Sequence, residues 1–142
     1  MRTLRYAMLL LLCSPAGAQE SSLGDVKAKG GVQLDVRELR DLMPGAKVVS
    51  RTQAGSTRSW QNRPDGTFTA TSDGRGQSGG RNTYASGEGT WRVTDDGKWC
   101  VTIQWPRSPD NWCRYMFRLD DKYYGVGTLS NESTTSEFEF SK

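Results

Sequence analysis

From Gly45 onward the chain alternates apolar and polar residues with a period of two, and turn-forming residues interrupt the alternation every several positions. A period of two puts successive side chains on opposite faces of an extended strand, so the pattern predicts short strands with one face toward a core. The predicted strands cover residues 47–53, 57–62, 67–72, 89–94, 98–105, 112–119, 122–128 and 135–140. Ala54-Gly55-Ser56, Pro64-Asp65-Gly66, Asp95-Asp96-Gly97 and Asp120-Asp121 supply hairpin chemistry between them. The expected fold is mainly β: about eight antiparallel strands in a meander or lipocalin-like barrel, with one short N-terminal helix. Closure removes the exposed edges that a meander leaves.

The helix signal lies just before the strands. Asp35 and Glu38 have capping-box spacing, Leu34 and Leu39 take the staple positions around them, and Val36, Leu39, Leu42 and Met43 form an apolar stripe. Pro44-Gly45 stops it. Residues 19–32 are polar and read as a flexible leader to a single domain over residues 33–142.

The first 18 residues read as a secretory signal peptide. Arg2 and Arg5 give a positive start, residues 7–13 a short apolar run, and Ala16-Gly17-Ala18 a cleavage site before Gln19. The run is too short for the ~20 residues of a membrane-spanning helix, so no integral membrane segment is expected in the mature chain. A lipid-modified Cys13 is disfavoured because Leu12 stands where a lipoprotein signal has a small residue. The expected location is secreted or periplasmic. Cleavage removes two arginines and lowers the formal net charge from +3 to +1. Basic residues are interspersed with acidic ones, without the concentrated cationic surface that nucleic-acid binding requires.

Cleavage also leaves Cys100 and Cys113 as the only cysteines. In an oxidising compartment they predict one structural disulfide. The chain contains no histidine. That excludes Ser-His-Asp and Cys-His nucleophiles and the HExxH zinc site; no metal, cofactor or catalytic residue is predicted. A hydrolase built on paired carboxylates stays open. Asp65, Asp95, Asp96, Asp120 and Asp121 fall at turns, however, where aspartate bonds its own backbone, leaving Glu88, Glu137 and Glu139 on or beside strands.

Two segments resist the pattern. In residues 98–105, Cys100 shares a face with Thr102 and Gln104, opposite Trp99, Val101, Ile103 and Trp105. In the next strand Cys113 shares its face with Tyr115, Phe117 and Leu119. Directly opposed cysteines would turn one strand's polar set inward; a bulge, or a helix covering one of two buried faces, would reconcile them. Residues 72–89 form an 18-residue stretch with six glycines. Its Gly74-Arg75-Gly76-Gln77-Ser78-Gly79 matches GxGxxG, but no helical pattern follows to receive a pyrophosphate. Arg75 and Arg81, with Tyr84, instead make a candidate anion-meeting loop.

Five tryptophans are the remaining lead. Trp91 and Trp99 are expected in the core. Trp105 and Trp112, at the ends of the loop over residues 106–111, are expected to be exposed, forming a recognition tip with Arg107 and Asp110.

Leu42-Met43-Pro44-Gly45, WQNRPDGTF at residues 60–68, GTWRV at 89–93, DDGKWCV at 95–101, WCR at 112–114 and DKYYGV at 121–126 together resemble an uncharacterised family of small exported bacterial proteins, domain-of-unknown-function family nine-nine-five. The resemblance implies bacterial export and a disulfide, and carries over no catalytic residue. GTWRV is also similar to the Gly-x-Trp strands of lipocalin-like barrels. The expected function is a non-catalytic binding domain for a small molecule or envelope glycan. The alternative is a protein-binding module or an inhibitor of an envelope or foreign hydrolase, using the loop at 106–111 or the glycine-rich loop.

Overall fold

The computed structural model describes residues 21–52, 55–74 and 84–142. The signal peptide read at residues 1–18, and Arg75 and Arg81, lie outside them. In chain order the elements are helix α1 (Leu23–Ala28), strand β1 (Val32–Gln33), helix α2 (Val36–Leu42), and strands β2 (Lys47–Arg51), β3 (Thr57–Gln61), β4 (Thr67–Ser72), β5 (Ala85–Val93), β6 (Trp99–Gln104), β7 (Pro109–Leu119), β8 (Lys122–Val126) and β9 (Ser136–Ser141). Each strand from β2 to β9 pairs antiparallel with its successor, and β9 returns to β2 with Val48 opposite Phe140. The result is a closed eight-stranded up-and-down barrel. Two-residue β1 adds to the outer end of β7, with Val32 opposite Arg118.

Local chemistry sets the turns. Asp65 accepts a hydrogen bond from the Thr67 backbone N–H at 3.0 Å, and Gly66 takes a φ of +88°, which starts β4 at Thr67. Asp35 accepts from the Glu38 N–H at 2.8 Å and caps α2, one arm of the capping box that its spacing predicts.

An eight-stranded barrel is just wide enough for side chains to fill. At one end they do. Leu39 of α2 and Met43 at its C-cap enter that end fully buried, above Val48, Trp60, Phe68, Trp99, Val101, Met116 and Phe138. Trp99 is the centre, with ring centroids of Trp112, Phe138 and Phe140 at 5.1, 5.3 and 5.3 Å. Trp91, expected in the core, is half-buried and donates its indole N–H to the Arg63 carbonyl at 2.9 Å.

The segment expected to be a flexible leader carries α1 instead. Ser22 and Asp25 form a reciprocal capping box, and Leu23 and Val26 pack on Phe117 and Val126 outside the barrel. This second apolar cluster resolves the parity conflict. Cys100 and Cys113 are directly opposed and bonded, in an unbroken β6–β7 register. Their shared face is the outer one. Tyr115, Phe117 and Leu119 are therefore outward too, and α1 covers them. No bulge is needed, and the inward face of β7 is the one that carries Asp110 and Arg114, interleaved with Trp112 and Met116.

Two boundaries also move. β5 begins at Ala85, inside the stretch read as a glycine-rich loop, because Ala85, Gly87 and Gly89 face Ser72, Ala70 and Phe68 on β4. β7 begins at Pro109, inside the expected loop at 106–111, because Pro109 already pairs with Gln104.

Candidate functional site

Among the described residues, the end of the barrel away from α2 is open. There the strand period brings polar side chains inward: Arg58 two residues before buried Trp60, Ser50 two after buried Val48, Ser136 two before buried Phe138, and Asp110 and Arg114 flanking Trp112. β3 and β7 are four steps apart either way around the eight-membered ring, hence diametrically opposite. Arg58 and Asp110 meet across the lumen, Nη1 to Oδ2 at 2.5 Å.

This ion pair is a bar that divides the mouth. On the β4–β6 side lies a cavity of about 340 Å³, lined by Ser72, Tyr84, Ala85, Trp105 and Arg107. On the β7–β9 and β2 side lies one of about 700 Å³, lined by Ser50, Trp112, Arg114, Ser136 and Phe138. Arg58 and Asp110 line both. The larger cavity also reaches Ser21, Thr134 and Thr135. There the wall is thin, because β8 pairs with Tyr115–Leu119 of β7 and residues 109–114 are registered with β6 alone among the described residues.

Tryptophans support both arginines. The Arg58 guanidinium lies 5.1 Å from the Trp105 ring centroid, and that of Arg114 lies 5.6 Å from Trp112. Burial pulls the Arg114 pKa below the ordinary arginine value, with the Asp110 carboxylate acting in the opposite sense. Among the described residues, Arg114 forms no ion pair, and the buried Nε atoms of Arg58 and Arg114 and the Trp105 indole N–H have no hydrogen-bond partner. The residues lining the two cavities include four arginines, Arg51, Arg58, Arg107 and Arg114, against Asp110 and Glu137. Glu137 is itself paired to Lys122 at 2.8 Å.

Of the residues singled out from sequence, Tyr84, Trp105 and Arg107 line the smaller cavity and Trp112 the larger. Trp105 and Trp112 do not protrude as an exposed pair; both are half-buried and face the lumen, because each shares its face with inward residues of its strand. Sequence reasoning missed Arg58, Arg114, Ser50 and Ser136. For Arg114 the signal was present, since it lies on the face of its strand opposite Cys113.

No group of three or more metal-ligating side chains occurs among the described residues, and no helix there is long and apolar enough to cross a membrane. The described residues thus form a small closed β-barrel, plugged at one end by its own helix and open at the other into a divided, arginine-lined mouth. The chain belongs to the family described as "Protein of unknown function (DUF995)", whose model matches residues 13–113. No curated protein and no solved structure matches it.

Proposed function

We propose that this protein is a non-catalytic binding barrel that takes a small organic molecule in its mouth, outside the cytoplasm. The observation that carries the reading is the contrast between the two ends of one lumen: one is filled by aromatic side chains, the other holds about 700 Å³ of cavity walled by tryptophan, serine and arginine. That size is within the range of small-ligand sites, and the mixture of aromatic wall and a few polar groups is their usual make-up. Of the two carboxylates lining the cavities, Asp110 faces the lumen and is held by Arg58, and Glu137, on the outward face of β9, is held by Lys122, which favours binding over acid–base work. The alternative of a protein-binding loop loses its first candidate, since the β6–β7 connection is short and Pro109 is already in the sheet. The Cys100–Cys113 disulfide supports an exported protein, whose mature chain begins at Gln19.

Native mass spectrometry of the protein purified from its own source, without denaturation, tests this. A retained small-molecule mass that is lost in a folded Trp105→Ala/Trp112→Ala variant is expected. A bare monomer, or a ligand kept by the double variant, overturns the site. An intact mass that includes residues 1–18 overturns the export reading.

A further inference from the structure

We infer that the larger cavity selects an organic anion, a carboxylate or sulfonate carried on an apolar body, with Arg114 as the residue that receives the charged head. The inference rests on the binding reading above and adds the ligand class. A guanidinium withdrawn from water requires a counter-charge, and an unpaired one is costly. Asp110 is the carboxylate whose charge acts on Arg114, and its Oδ2 is occupied across the lumen by Arg58. Arg114 is therefore half-buried, stacked on Trp112, and without an ion-pair partner among the described residues.

The rest of the cavity agrees with that assignment. A planar fork of N–H donors fits a carboxylate or sulfonate in two-point fashion, and a low-dielectric wall strengthens the contact. Trp112 and Phe138 give an apolar surface beside it, with ring centroids 5.6 Å apart, where an aromatic or aliphatic body would lie. Ser50 and Ser136 add hydroxyls that can donate to the same head. The excess of arginine around the mouth raises the local concentration of anions, although the mature chain is nearly neutral. A second inward cation, Arg58, is already neutralised by Asp110, which leaves Arg114 as the guanidinium on the lumen side of this cavity that meets the anionic head.

Two fluorescent probes that differ by one group separate this inference from the reading beneath it. 1-Anilinonaphthalene-8-sulfonate carries an anionic head, and N-phenyl-1-naphthylamine is the same body without it. The wild-type protein is expected to bind the sulfonate at least tenfold more tightly. Arg114→Met is expected to lower sulfonate affinity about tenfold and leave the neutral probe within twofold, while Arg114→Lys retains part of the preference. Equal wild-type affinities overturn the anion inference and leave the binding reading standing; failure of both probes to bind overturns both. Equal weakening of the two probes by Arg114→Met also overturns it, since that is a structural effect. If the variant does not fold, the wild-type ratio still decides. Displacement of the bound sulfonate by decanoate but not decanol would identify an aliphatic body, and by 1-naphthoate but not 1-naphthol an aromatic one. Displacement by the neutral alcohols as readily as by the acids counts against an anion site.

Discussion

Gly89 lies beneath the ring of Phe68, so close that a Cβ there would stand 2.1 Å from the ring edge. Phe68 is fully buried and stacks on Trp60 at a centroid distance of 5.0 Å, so the ring has nowhere to retreat. Gly89→Ala is therefore expected to destabilise the barrel by about 3 kcal/mol, the upper part of the cost of overpacking a core. Gly127→Ala meets nothing within 4 Å and should stay within about 0.5 kcal/mol of wild type. Urea unfolding of the two variants checks the pair; equal costs would mean that the Phe68 contact is not what constrains position 89. At this scale the sequence spoke through a contradiction. The opposite parities around Cys100 and Cys113 left either a bulge or a covered outer face open. What the conflict marked was a strand that turns its charges inward at Asp110 and Arg114, and a binding site is where a local rule of burial is expected to fail. Arg58 gave no such sign, because an arginine two positions from a tryptophan in a strand reads equally well as a side chain at the edge of the sheet.

Among the elements, the strands that sequence placed best are those bounded by strong turn chemistry. β4 follows Pro64-Asp65-Gly66 and falls on the predicted residues, whereas β5 and β7 run further back because their partners extend them. α1 was illegible for a different reason. It has two buried apolar residues in six, too few to show a period, and the surface that holds it belongs to β7 and β8, almost a hundred residues away. Removing that packing tests its weight. Leu23 is fully buried, and Leu23→Ala is expected to cost about 3 kcal/mol, as for a core leucine. Ser22→Ala, which removes one arm of the capping box, should cost about 1 kcal/mol. The other arm gives a pH signature. Hydrogen bonds from the backbone and side chain of Ser22 hold the Asp25 pKa below its ordinary 3.8, so the ionised form favours the folded state. Its contribution is present above the ordinary carboxylate range and is lost as pH falls through the lowered value. Asp25→Ala should melt earlier than wild type at neutral pH, and the gap should close on acidification below 3.8. A gap that stays constant with pH would show that the charge plays no part.

Over the whole molecule, the barrel separates what stabilises it from what binds. The disulfide joins opposed residues of β6 and β7 on the outer face, whereas Val101 and Trp112, the next opposed pair, point into the lumen. Breaking the bond releases a constraint on the unfolded chain, its ends being 13 positions apart, and should lower stability by roughly 3 kcal/mol. It should not alter the mouth. Ring closure by β9 on β2 and the aromatic filling around Trp99 hold β3 and β7 at opposite walls, so the Arg58–Asp110 bar and the Arg114 cavity do not depend on the sulfur bridge. Reduced protein, or Cys100→Ala/Cys113→Ala, studied well below its melting temperature is therefore expected to bind the naphthalene sulfonate within twofold of the oxidised protein while melting markedly earlier. If affinity fell in step with stability, the wall carrying Trp112 and Arg114 would have to be held by the disulfide rather than by barrel closure, and the thin wall beside residues 109–114 would be the place where it gives way.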